Sequence, residues 1–201
     1  MFTKRIGAVL AVAALMATAA PIAAQGFSEG YQFLQAVKEA DGNKVQDLLS
    51  KPGSLIHSRD RGTGDTALHI ITRERNSDWM AFLVSKGAKV ESENNQGETP
   101  LTLATQMGWT EGVLKLLSLR ADVNQGNKRG ETPLILAVQK RDIALVKLLL
   151  SRGADPKKAD RVGGKSALDY ARIDGRSAVI LKALEEKPAA TPRREAAGPS
   201  L

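Results

Sequence analysis

Two short phrases recur along this chain in step with each other. Gly97-Glu98-Thr99-Pro100-Leu101 returns as Gly130-Glu131-Thr132-Pro133-Leu134. Weaker copies flank the pair: Gly64-Asp65-Thr66-Ala67-Leu68 and Gly164-Lys165-Ser166-Ala167-Leu168. The hydroxyl residues fall at 66, 99, 132 and 166, giving steps of 33, 33 and 34. Gly87-Ala88-Lys89-Val90, Arg120-Ala121-Asp122-Val123-Asn124 and Gly153-Ala154-Asp155-Pro156 keep the same beat. A period of this length means stacked supersecondary units, each too small to bury its own apolar face. Such stacks offer a long surface to another molecule rather than a pocket for chemistry.

The first residues stand outside the array. Lys4 and Arg5 make a short positive start, residues 6–20 are apolar, Pro21 breaks the run, and Ile22-Ala23-Ala24 offers a small-residue cleavage site. This is the pattern of an export signal over residues 1–24, and the apolar run is short for a membrane span. Cleavage near Ala24 predicts a periplasmic or secreted protein with no membrane attachment afterwards; an uncleaved N-terminal anchor is the competing reading. The chain has no cysteine. Disulfides and lipid attachment at a cysteine are both closed to it, so packing alone must hold the fold. The formal net charge is +7, but Lys4 and Arg5 leave with the signal and Lys187, Arg193 and Arg194 lie in the tail. What remains is a mild positive bias, which argues against nucleic acid as the partner.

Apolar spacing predicts helices in pairs. Phe33, Leu34, Val37 and Ala40 share one face of a helix over 32–40, Asp41-Gly42-Asn43 turns, and Val45, Leu48 and Leu49 line a second helix ended by Lys51-Pro52-Gly53. This pair lacks the repeat phrase, as suits a terminal capping unit. In the third unit Thr99 is placed to N-cap a helix, with Pro100 at the first helical position, where its missing N–H costs nothing. Leu101, Leu103 and Ala104 face inward, Gly108 permits a tight turn, and Val113, Leu116 and Leu117 line the second helix. Thr132-Pro133 repeats that start, an apolar helix over 143–150 follows, and Gly153 ends it in the left-handed conformation glycine tolerates. The last pair covers 166–172 and 178–185. Segments 59–64, 93–97, 125–130 and 160–164 read as hairpin-like loops between units. Residues 188–201 are Pro, Ala, Gly and Arg without apolar periodicity, which predicts a disordered tail. The expected architecture is all-α: a solenoid of about five helix-turn-helix units near 29–57, 62–94, 95–127, 128–161 and 162–187, within a domain spanning 25–187.

A unit of this length, with Thr-Pro-Leu opening its first helix, resembles the ankyrin repeat. The family phrase Gly-x-Thr-Pro-Leu-His-x-Ala is matched by 97–104 and by 130–137, and the closing Gly-Ala-Asp-Val-Asn by 121–124 and 153–155. The resemblance covers about residues 30–186. Its histidine is kept only at His69; Thr102, Ile135 and Asp169 stand at the other copies. The resemblance implies that His69 bonds between neighbouring loops. Arg120 replaces the helix-ending glycine, and Gly112 and Lys115 interrupt an otherwise apolar helix. A mid-helix glycine costs roughly 1 kcal/mol relative to Ala, so the third unit is expected to be the weakest.

The resemblance implies a binding scaffold whose loop tips and first-helix edges line a concave surface. On the matching positions, Asn95, Gln96, Glu98, Lys128, Arg129 and Glu131 are the loop candidates, with Thr63, Asp65 and Lys165 beside them. Arg73, Glu74, Gln106, Met107, Gln139 and Lys140 are the first-helix candidates, with Ile173 and Asp174 at the end of the row. Met107 is an adaptable apolar contact. Lys128 and Arg129 with Lys140 form a small basic patch suited to an acidic face. Trp109 opens the second helix of unit three as a contact or core residue, while Trp79 reads as core. Candidates for chemistry are thin. His57 near Asp60 and Asp65 is a weak metal or acid–base signal, and no activated nucleophile or phosphate-cradling loop is visible. No catalytic residue, metal or cofactor is expected. The implied function is a non-enzymatic scaffold, monomeric by itself, that binds another protein in the bacterial periplasm. A secreted effector acting on a host protein and a His57-dependent metal activity are the alternatives.

Overall fold

A computed structural model describes residues 28–186 apart from 52, 54 and 177. The expected export signal, 1–24, and tail, 188–201, lie outside the described residues. Ten α-helices run in five pairs among the described residues: α1 (Glu29–Lys38) and α2 (Gly42–Ser50), α3 (Ala67–Arg73) and α4 (Ser77–Ser85), α5 (Pro100–Gln106) and α6 (Thr110–Ser118), α7 (Pro133–Gln139) and α8 (Ile143–Ser151), α9 (Ala167–Asp174) and α10 (Ala178–Glu185). Two single β-bridges, Arg59 with Thr66 and Ala159 with Ser166, close the bases of the first and last loops. None of the helices is long and apolar enough to cross a membrane.

Side-chain caps set the helix starts. Ser28 accepts from the Tyr31 N–H at 3.3 Å, so α1 begins three residues ahead of its apolar periodicity. Asp41 accepts from the Lys44 N–H at 3.0 Å, which makes Asp41-Gly42-Asn43 the first turn of α2 rather than a separate turn. Thr99, Thr132 and Ser166 cap α5, α7 and α9 as their spacing predicts.

The first helix of each pair packs against its neighbours, α1 on α3, α3 on α5, α5 on α7 and α7 on α9, and the second helices form a layer behind. Leu68, Ile71, Met80, Leu83, Leu101, Leu116, Leu134, Ile135, Leu145, Leu149 and Ile180 are fully buried in one continuous core. The outer face of the last pair differs. Where α7 and α8 bury Val138 and Leu149, the matching residues are Arg172, exposed, and Ala183, half-buried. Arg172 bonds Glu185 at 3.1 Å across that face. Arg172 and Glu185 make part of this face polar, as suits a terminal unit, while Val179, at the place of buried Leu145, is exposed.

Two departures in unit three explain each other. Trp109 is the N-cap residue of α6 and is 7% exposed. Its ring lies over Gly112, and a Cβ there would come within 2.5 Å of three ring atoms. Gly112 therefore makes room for a buried indole, which corrects the expectation that it only weakens the helix. Arg120 does carry strain. It is left-handed at φ +68°, where Gly87 and Gly153 stand in the neighbouring units, and such a backbone favours glycine. Trp79, read as core, is half-buried and packs edge-on against Phe82 at 5.3 Å.

Candidate protein-binding face

The loops between units share one design. Each opens on an Asn or Asp that folds its side chain back onto the loop. Asn94 Oδ1 accepts from the N–H groups of Gln96 and Glu98, both at 3.0 Å. Asn127 Oδ1 accepts from Arg129 at 2.9 Å and Glu131 at 3.1 Å. Asp60 and Asp160 do the same in loops one residue longer. The Thr63 N–H on Asp60, and the Tyr170 hydroxyl on Asp160 at 2.7 Å, hold both carboxyls below their ordinary range. The turn then closes through the backbone, Asn94 N–H to the Glu98 carbonyl at 3.0 Å and Asn127 N–H to Glu131 at 3.1 Å.

These hairpins are laced to one another. The N–H groups of Asn95, Lys128 and Arg161 donate to the carbonyls of Thr63 (2.9 Å), Gln96 (3.2 Å) and Arg129 (2.8 Å) in the preceding hairpin. Gly64, Gly97 and Gly130 mark the crossings. A Cβ on them would lie 2.8, 2.7 and 2.6 Å from the backbone nitrogen of the next hairpin. Gly164, at the same place in the last hairpin, has nothing within 4 Å. The recurring Gly-x-Thr phrase is thus a joint as well as a helix start.

Beneath the tips lies a buried polar layer. Asp65, Asn94, Glu98 and Glu131 are each under 9% exposed. Asn94 donates to Asp65 and to Glu98, both at 2.9 Å, and Arg73 reaches Asp65 at 2.9 Å. Glu131 accepts from Asn127 at 2.9 Å and Gln139 at 3.4 Å. His69 is fully buried. Its Nδ1 accepts from the Thr66 N–H at 3.2 Å, so Nε2 carries the proton and donates to the Glu98 carbonyl at 2.8 Å. Burial lowers the His69 pKa and keeps the ring neutral. Thr102, at the same place in α5, is too short to bridge and returns instead to Thr99.

The candidate residues divide by exposure. Asn95, Gln96, Lys128 and Arg129 are exposed at the hairpin tips, and Arg73, Glu74, Gln106, Gln139 and Lys140 along the first helices. Met107 is half-buried against the core and its carbonyl accepts from Arg75 at 3.2 Å. Glu98, Glu131 and Trp109 are corrected: all three are buried and committed within the stack, so they offer a partner almost no surface. The basic patch is also redrawn. Lys128 and Arg129 precede α7 while Lys140 caps its far end, and seven residues of helix place them roughly 10 Å or more apart. His57 is exposed on a short 3-10 turn, whereas Asp60 folds onto its own loop and Asp65 bonds Arg73. No cluster of three or more metal-ligating side chains occurs among the described residues. The buried layer was missed in the sequence, although Asn94 and Asn127, 33 apart at the loop starts, signal it.

The sequence matches the family model described as ankyrin repeats, in three copies, over residues 33–127 and 109–191. No curated protein matches the chain.

Proposed function

Because this chain belongs to the ankyrin repeat family, whose repeats generally mediate protein–protein interaction, we propose that it is a non-enzymatic scaffold of the bacterial periplasm that binds a partner protein through its hairpin tips and first-helix edge. The observation that carries this reading is the regular exposed row Arg73, Gln106 and Gln139, one residue per unit at steps of 33, set beside laced hairpins. A surface whose spacing is fixed before binding loses less entropy on association. The export pattern of residues 1–24 supports the periplasmic placement. The full chain, tagged at its C-terminus, is crosslinked in cells and purified from the periplasmic fraction. One stoichiometric protein, reduced by Gln106→Ala with Gln139→Ala, is the expected result. Absence of any partner, with the protein folded, would overturn the reading. A secreted effector is the second reading, and recovery of the protein only outside the cell would favour it.

A further inference from the structure

The hairpin edge grows more cationic along its length. In the first two hairpins, 59–65 and 93–98, exposed Arg59 and Arg61 stand beside exposed Glu93 and half-buried Asp60, while Asp65 and Glu98 are buried and already hydrogen-bonded. In the last two the cations prevail. Lys128, Arg129, Lys157, Lys158, Arg161 and Lys165 are all exposed. The carboxylates among them, Glu131 and Asp160, are buried and already hydrogen-bonded, Glu131 to Asn127 and Asp160 to Tyr170 and three backbone N–H groups. Exposed Asp155, just before Lys157, accepts the Lys157 N–H at 2.8 Å.

What these cations already touch leaves most of their charge outward. Lys128 Nζ rests on the Asn95 carbonyl and Lys158 Nζ on the Asn124 carbonyl, both neutral groups. Lys165 lies over the Tyr170 ring. Arg129 reaches Glu131 at 3.4 Å, yet its side chain is 65% exposed.

We propose that this basic edge, centred on Lys128, Arg129, Arg161 and Lys165, docks an extended acidic segment of the partner protein; the proposal rests on the protein-binding reading above. Two lengths make the fit. Packed helices stand about 8–10 Å apart, which sets the step between hairpins. An extended polyproline II chain rises about 3.1 Å per residue and turns once every three, so every third side chain shares a face. Carboxylates about three residues apart can therefore meet successive hairpins. The Arg161 N–H on the Arg129 carbonyl fixes the two tips relative to each other, so the cations are held in place before the segment arrives. Charge of this kind sets partner choice and encounter rate more than raw affinity.

The test uses a fluorescent peptide of about 12 residues, serine and alanine with glutamate at every third position, beside its glutamine counterpart. Anisotropy with the purified protein should show the glutamate peptide binding at least about tenfold more tightly, with the difference shrinking as salt rises from about 50 to about 300 mM. Lys128→Ser, Arg129→Ser, Arg161→Ser and Lys165→Ser together should weaken it about tenfold, since exposed pairs contribute roughly twofold each. The charge-retaining set Lys128→Arg, Arg129→Lys, Arg161→Lys and Lys165→Arg should keep it, which separates charge from folding. Equal binding of both peptides, or preference for phosphatidylglycerol vesicles over the glutamate peptide, would overturn the proposal. A natural partner that co-purifies equally with the serine variant sinks this edge and leaves the protein-binding reading standing. No partner for either protein sinks both.

Discussion

Gly112→Ala sets helix propensity against packing, and the magnitudes decide between them. By propensity alone, alanine gains about 1 kcal/mol inside a helix. The buried indole opposes it. A Cβ on Gly112 would come within 2.5 Å of three Trp109 ring atoms, about 1 Å or more inside the ordinary carbon contact of about 3.5–4.0 Å. The ring is 7% exposed, so either it swings out or α6 shifts. Overpacking costs about 1–3 kcal/mol, and expelling the ring forfeits about 2–3 kcal/mol of apolar burial. Set against the propensity gain, the net loss is about 0–2 kcal/mol, which for a domain of this size lowers Tm by up to roughly 8 °C. Circular dichroism melts measure it directly. The partner variant is Trp109→Leu. In that background Gly112→Ala should be neutral or stabilising by up to about 1 kcal/mol, and the double-mutant cycle isolates the contact. A higher Tm for Gly112→Ala in the otherwise unchanged protein would refute the reasoning.

Arg120→Gly relieves the left-handed residue after α6 and should raise Tm, by roughly 0.5–1 kcal/mol of stability; a lower Tm would show that its side chain contributes more than its backbone costs. Gly130→Ala and Gly164→Ala share a left-handed backbone but not their surroundings. The first should cost at least about 1 kcal/mol more, because only it forces a hairpin joint apart, and equal melting temperatures would deny that joint a role. His69 supplies a pH dependence. Its folded pKa lies below the ordinary value of 6.5, so the unfolded chain takes up a proton that the native ring refuses. Stability is therefore full above about pH 6.5 and is lost as pH falls below it. Asp65, Glu98 and Arg73 surround the ring, and burial outweighs their charges. Urea melts at about pH 7.5 and about pH 5.5 should show a smaller loss for His69→Thr than for the parent; equal slopes would mean that the ring is already charged or accessible.

The repeat phase, the helix pairs and the hydroxyl caps were legible because each is written within a few residues of the chain. A threonine before Pro-Leu states its own role. What resisted reading depends on contacts between units. Glu98 and Glu131 look like free loop acids, and their burial is visible only once Asn94 and Asn127 fold back onto the same loops. Trp109 and Gly112 each look like a blemish when taken alone, although they stand three residues apart on one turn. Lys128 and Lys140 are close in sequence but lie at opposite ends of α7. Exposure of the row Arg73, Gln106 and Gln139 was legible from the resemblance, whereas the cationic excess of the late hairpins needed the burial of Asp160 and Glu131.

The lacing between hairpins is uneven, and that gives the stack a grain. Units two and three are clasped by His69, by Asn94 on Asp65, and by Asn95 on both Thr63 and Gly62. Units four and five are clasped by the short Arg161 bond and by Arg141 on Asp174. Between units three and four no buried side chain takes the place of His69: Thr102 turns back on Thr99, Gly108 stands where Arg75 and Arg141 reach forward elsewhere, and side-chain ties such as Lys128 on the Asn95 carbonyl and Asn124 with Gly153 and Asp155 are exposed. The stack should therefore be stiffest where units two and three meet and yield more readily beyond the crossing of Gln96 and Lys128. Hydrogen exchange of the Lys128 amide would run ahead of that of Asn95. A partner lying across that crossing would steady it and slow exchange at residues that it never touches.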